Sequence, residues 1–188
     1  MDKIKNFITS IMDIDPNELN YICSYFKKKK VKKLDLIIQS GQPNYNFFYV
    51  NSGLFRKFHI NEKGHEITYF FPEPGMFISS LSIIQPVSIS EVNIQAIADA
   101  EVLVISREDL NFLYRKFPIF NIFAKYTLQD ILVTLEKRVF MLMNYTAEDR
   151  YNYFKQEFPN VLKNVQLKYL SSYLGITPQH LSRIRKLK

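Results

Sequence analysis

At 188 residues, with 47% apolar and 15% aromatic side chains, the chain is long enough for one sizeable core and a small second one. No apolar run approaches the roughly 18 uncharged residues of a membrane helix, and the N-terminal MDKIKNFITSIMD sets Asp2 and Asp13 around too short an apolar segment for a secretory signal. A cytoplasmic protein without a membrane partner is expected. A single cysteine, Cys23, excludes an internal disulfide and the thiolates of an iron–sulfur cluster, and reads as a buried structural thiol.

The net charge of +7 is unevenly placed. Eight cations (Arg150, Lys155, Lys163, Lys168, Arg183, Arg185, Lys186 and Lys188) and one anion, Glu157, lie in the last fifth, and the basic and acidic residues before Arg150 balance. Such asymmetry is the footprint of a segment that neutralises phosphates, with a solvated basic tail as the plainer alternative. The run KKKKVKK, Lys27 to Lys33, reads as the exposed edge of a helix-to-strand junction.

From about Leu34 to Ile105 the chain is rich in β-branched and aromatic residues, in stretches such as FFYV, LFRKFHI, EITYFF and EVLVIS. Gly41, Gly53, Gly64 and Gly75 punctuate them at steps of 12, 11 and 11, as turns do in a β-roll. The segment NEKGH has the composition of a hairpin loop. An antiparallel jelly roll of roughly seventy residues is expected.

Ser106 followed by Glu108 and Asp109 is an N-cap with an acidic first turn, and Pro118 breaks that helix and starts another. From there to about Asn144 no Pro or Gly intervenes. Phe117, Asn121, Ala124, Leu128, Ile131, Leu135, Arg138 and Leu142 recur at alternating steps of four and three, which predicts a long helix with a coiled-coil-type seam. A second stripe, Ile119, Phe123, Leu132 and Val139, lets one face pack on the β-domain while the other meets a partner. A homodimer through Ala124, Leu128, Ile131, Leu135 and Leu142 is expected, with both stripes as core of one chain the alternative.

Thr146 and Asp149 form a capping-box pattern opening the helix TAEDRYNYFKQEF, which ends at Pro159. In VQLKYLSSYLGITPQHLSRIRKLK, Leu167, Leu170, Tyr173 and Leu174 make a short amphipathic helix stopped by Gly175, and Ile176 plugs the turn. Thr177 caps a second helix with Pro178 at its first position. Leu181 and Ile184 point inward, leaving Gln179, His180, Ser182, Arg183 and Lys186 outward. A Gly-turned helix pair presenting amide and guanidinium groups amid positive charge is what a major-groove reader requires. The expected DNA-binding residues are Thr177, Gln179, His180, Ser182, Arg183, Arg185, Lys186 and Lys168. Catalysis is not expected, because His59, His65 and His180 are scattered and no triad, metal spacing or phosphate loop recurs.

Over nearly its full length the chain resembles the Crp/Fnr family of bacterial regulators, through FFYVNSGLFRKFHINEKGHEITYFFPEPGMF and, more specifically, YLSSYLGITPQHLSRIRK. The resemblance implies an α+β fold: a cyclic-nucleotide-binding-type β-roll over residues 1–117, a dimerisation helix over 118–144 and a helix-turn-helix over 145–188. It implies duplex DNA and a second copy as partners, with RNA polymerase a further candidate and no cofactor. The positions that read bases correspond to Pro178, Gln179 and Arg183, and Pro178 replaces a residue that is often Arg. The family's small β-wing is not expected here, so the DNA-binding unit reads as minimal. A ligand-sensing β-roll without sequence-specific DNA binding is the alternative.

The sensor departs from the resemblance. Cyclic-nucleotide binders carry Gly-Glu and later Arg-Ser or Arg-Thr, whereas Met76 follows Gly75 here, and Ser90 and Glu91 stand where Arg and its hydroxyl neighbour would be. No Lys or Arg occurs between Lys63 and Arg107. A buried cyclic phosphate needs a cation or converging donors, so cyclic AMP is not expected to bind. The expected effector pocket comprises Phe70, Gly75, Met76, Phe77, Ser79, Ser80 and Glu91. Its effector is expected to be neutral or apolar, with Phe55, Phe58, Tyr69, Phe70, Phe71 and Phe77 around it, unless these rings are plain core.

Overall fold

The computed structural model describes residues 1–186. Two helices come first, α1 (Asp2–Ile11) and α2 (Pro16–Ser24). The sequence signal for α2 is local: Asp15 accepts from the amides of Asn17 and Glu18, and Pro16 occupies the first turn. Ile4, Ile8, Leu19 and Ile22 carry this pair onto a core shared with Tyr49, Leu103, Leu113 and Phe123.

Eight strands follow: β1 (Lys27–Val31), β2 (Leu36–Ile38), β3 (Asn46–Ser52), β4 (Phe55–Ile60), β5 (Glu66–Phe70), β6 (Phe77–Ile78), β7 (Asn93–Ala96) and β8 (Ala100–Ser106). They form two antiparallel sheets, ordered β1-β8-β3-β6 and β2-β7-β4-β5. The β-region begins at Lys27, seven residues before the expected Leu34, because the lysine run is itself a strand paired along β8. Lys27 to Lys30 are exposed on that edge, where charge discourages pairing with another chain. Gly53 turns β3 into β4 at φ +89, and a Cβ there would stand 2.4 Å from that of Ala100, so the approach of this turn to the start of β8 requires glycine.

Ser106 caps α3 (Arg107–Lys116), accepting from the Asp109 amide, and a 3-10 turn at Pro118–Phe120 leads into α4 (Asn121–Asn144). The Thr146–Asp149 capping box opens α5 (Ala147–Glu157). Beyond Pro159 the chain makes a further short helix, α6 (Pro159–Asn164), where the sequence reading saw only a stop; proline is tolerated at a first helical position. Then come α7 (Leu167–Leu174) and α8 (Pro178–Lys186).

Packing crosses residue 145. One core cluster joins Leu54, Phe71 and Ile97 of the roll to Met141 of α4 and to Tyr151, Phe154, Tyr169, Tyr173, Leu181 and Ile184. Helix α7 lies against β5, and the Thr68 amide donates to Ser172 Oγ at 3.2 Å. Among the described residues, no helix is long and apolar enough to cross a membrane.

Candidate nucleic-acid interface and ligand cavity

The C-terminal helix pair is built by signals a few residues apart. Gly175 takes the left-handed conformation (φ +67), and the Ile176 and Gly175 amides return to the Ser171 and Ser172 carbonyls, closing α7 in a Schellman arrangement. Thr177 then accepts the His180 amide at 3.1 Å and starts α8 with Pro178 in its first turn. Leu181 and Ile184 are buried. Thr177, Gln179, His180, Arg183, Arg185 and Lys186 are exposed, as is Lys168 on α7, whereas Ser182 is half-buried and less available than expected. Lys188, counted in the basic segment, lies outside the described residues. Arg150 does not join this surface: its guanidinium donates to the Leu174 and Tyr145 carbonyls at 2.8 Å and ties α5 to the end of α7.

Helix α4 presents different residues inward and outward. Ala124 and Ile131 of the expected dimer seam are half-buried and line a cavity against the roll. Arg138 is also turned inward, with its guanidinium 3.8 Å from the Tyr173 ring centroid and donating to the Tyr173 carbonyl. Leu128, Leu135 and Leu142 are 50%, 40% and 43% exposed, and Leu132 and Val139, of the second stripe, are 64% and 54% exposed. Together these five continue the four-three spacing along an exposed apolar face, of which Leu128 and Leu135 also border the cavity beside Ala124 and Ile131.

A cavity of about 680 Å³ lies between the roll, the 3-10 turn Leu81–Ile84, α3 and α4. Phe70, Met76, Phe77, Ser79, Ser80 and Glu91 line it as expected, and Gly75 does not. Of the six rings expected around it, Tyr69, Phe70 and Phe77 take part. Phe55 is fully buried in the roll's interior, Phe58 lies under Arg56, and Phe71 packs on Phe154 and Tyr173. The Ser79 hydroxyl donates to the Asn46 carbonyl at 2.9 Å and accepts from Asn44 at 3.0 Å, and the Ser80 and Ser82 hydroxyls meet at 2.9 Å. These serines are engaged within the protein.

The expectation of a pocket without a cation is corrected. Lys57 of β4 reaches into the cavity wall, where Nζ donates to the Ser79 carbonyl at 2.9 Å and lies 5.7 Å from the Tyr69 ring centroid. Burial lowers its pKa from 10.5 to about 8. Arg107 also lines the cavity and donates to the carbonyls of Ile83 and Gln85, fixing the 3-10 turn. Neither is legible in the cassette segment, because the cations come from a strand before it and a helix after it. The available signal was Lys57 standing two residues from Phe55 and therefore on the same face of the strand.

Residues 28–117 match the family model of the cyclic nucleotide-binding domain. Solved structures with the same fold include the c-di-GMP-responsive global regulator CLP of Xanthomonas campestris (16% identity, TM-score 0.74, covering 92% of this chain and 90% of that one). FixK2 of Bradyrhizobium japonicum is 18% identical with a TM-score of 0.73, over 86% of this chain and 83% of that one. A transcriptional regulator assigned to the crp/fnr family from Eubacterium rectale is 17% identical with a TM-score of 0.74, over 97% and 87%. Residues 28–117 are thus similar to a cyclic nucleotide-binding domain, and the chain shares the fold of these three solved structures. No curated protein sequence matches it significantly. In this domain the cavity lies where the fold meets α4, and Ser90 and Glu91 do not supply a cation to it: Ser90 is buried and donates to the Val92 carbonyl, and Glu91 stands exposed at the rim.

Proposed function

We propose that the chain is a dimeric, sequence-specific DNA-binding transcription regulator whose cyclic nucleotide-binding domain senses a ligand other than cyclic AMP. The observation that carries this reading is α8, seated by Leu181 and Ile184 and offering Gln179, Arg183, Arg185 and Lys186 to solvent beside Lys168. Gln can pair bidentately with adenine and Arg with guanine, while the remaining cations suit phosphates. The open face of Leu128, Leu132, Leu135, Val139 and Leu142 supports a symmetric pair of such helices. Met76 beside Gly75, Glu91 at the rim and the committed Ser79 and Ser80 hydroxyls argue against a cyclic phosphate.

Selection of bound duplexes from a random pool tests the reading. Enrichment of an inverted repeat with half-sites about 10 base pairs apart is the expected result. A pool that yields no shared sequence would reduce the protein to a ligand-binding module. For the dimer, Leu132→Asp with Val139→Asp should release monomers by sedimentation, since burying two unpaired carboxylates at the seam opposes association. A wild type that already sediments as a monomer contradicts that part.

A further inference from the structure

We propose that the cavity beside α4 takes an amphipathic monoanion, an aliphatic or arylalkyl carboxylate, whose carboxylate is held by Lys57 and whose apolar body lies along the aromatic wall. This rests on the regulator reading only for its consequence, the control of DNA binding; the ligand class stands on the cavity itself.

The Lys57 ammonium has more donors than partners. Nζ has three N–H donors, and one goes to the Ser79 carbonyl. No carboxylate lies within 4 Å of it, since among the described residues the ion pair found is Arg56–Glu66. The ammonium is thus mostly buried, with donor capacity left over, in a chamber large enough for a small organic molecule. Burial without compensation is costly for a charged group, and a carboxylate entering beside it removes that cost for both ions.

The walls decide the rest of the ligand. Phe47, Phe70, Phe77, Ile105, Phe123 and Ile131 give the chamber a largely apolar lining, suited to methylene or ring carbons. The other charged groups are placed differently. Arg107 is held against the 3-10 turn by Nη1, which donates to the Ile83 and Gln85 carbonyls, and Glu91 and Asp130 are exposed at the mouth. A nucleotide would bring a polar base and sugar to walls whose nearest hydroxyls are already engaged, and two carboxylates at the mouth disfavour multiply charged anions. The Lys57 ammonium among apolar walls, with Arg107 anchored to the 3-10 turn, fits one negative charge on an apolar body.

Calorimetry on the full chain tests this with decanoate and 4-phenylbutyrate as the anionic probes, 1-decanol as the neutral one, and cyclic AMP. The expected result is saturable carboxylate binding, with decanoate preferred over decanol. Lys57→Met should cut that preference by at least about tenfold, and Lys57→Arg should restore part of it; thermal melts establish that both variants fold. Ile131→Trp, which fills the chamber without touching the charge, should abolish binding of both decanoate and decanol. The proposal is overturned if neither carboxylate binds, if cyclic AMP binds more tightly than both, or if the preference survives Lys57→Met. Binding to a selected duplex, measured in parallel without ligand, separates the two readings: retained DNA binding with no carboxylate binding removes the ligand class and leaves the regulator, and the reverse removes the regulator and leaves the ligand class.

Discussion

Arg56 and Lys57 are neighbours on β4, both turned away from bulk water, yet they occupy opposite faces of the strand and have different surroundings. Arg56, 1% exposed, donates twice to Gln95 Oε1, faces the Glu66 carboxylate at 2.8 Å and is stacked between Phe58 and Tyr169 at 3.8 and 3.7 Å. Because Tyr169 belongs to α7, this guanidinium joins the roll to the helix-turn-helix. Lys57 has one carbonyl and a distant ring. Burial alone therefore does not mark a ligand-binding charge. The partners do: a cation held by an amide, a carboxylate and two rings joins two parts of the protein, and one with a single carbonyl is available to something else.

The largest effect should come from breaking the fully paired ion, Arg56 with Glu66. Arg56→Ala removes one side of a buried ion pair and two ring contacts, and should destabilise the chain by roughly 3 kcal/mol in urea unfolding. Exchange of the Thr68 amide, which donates to Ser172, should also accelerate as α7 loosens from β5. A loss under about 1 kcal/mol with unchanged exchange would reduce Arg56 to ordinary packing.

Lys57 should behave in the opposite sense. Lys57→Met exchanges an uncompensated ammonium for an apolar chain of similar length, so at neutral pH the variant should be at least as stable as the wild type. The pH dependence follows from the depressed pKa. Folded Lys57 releases its proton near pH 8, below its ordinary 10.5, so between those values the unfolded chain binds more protons and stability rises with pH. Wild type should gain on Lys57→Met by roughly 2 to 3 kcal/mol across that window. Tyr69 and Tyr114, which also line the cavity, have pKa values raised by burial, and Arg107, Glu91 and Asp130 are common to both proteins. A difference that stays flat with pH would show that Lys57 is not desolvated.

This same contrast explains what was legible in the sequence. The helix-turn-helix could be read because Gly175, Thr177 and Pro178 act within three residues of one another, through a left-handed turn, a side-chain cap and a missing N–H. The jelly roll could be read from alternation and turn spacing. The cation of the cavity could not be found along the cassette, because Lys57 meets Ser79 only when the roll closes. Helix α4 shows the same limit: the four-three spacing gives a seam, but how α4 docks on the roll decides that Ala124 and Ile131 face inward while Leu132 and Val139 face out. Helix α2 had a local signal, Asp15 before Pro16, that was not used.

The exposed cations of α8 extend the comparison to groups that the proposed function gives partners outside the protein, and they test the central claim, sequence-specific DNA binding, most directly. The measurement is fluorescence anisotropy of the wild type, Arg183→Ala and Lys186→Ala on the selected duplex and on a random one, across a salt series. Arg183→Ala should lose roughly 1 to 3 kcal/mol on the selected duplex and little on the random one, as removal of a bidentate base contact does. Lys186→Ala should weaken both duplexes about equally and flatten the logarithmic salt dependence by about one unit of slope, as loss of a phosphate contact does. Equal binding of both duplexes by the wild type, with equal losses for Arg183→Ala, would contradict the claim.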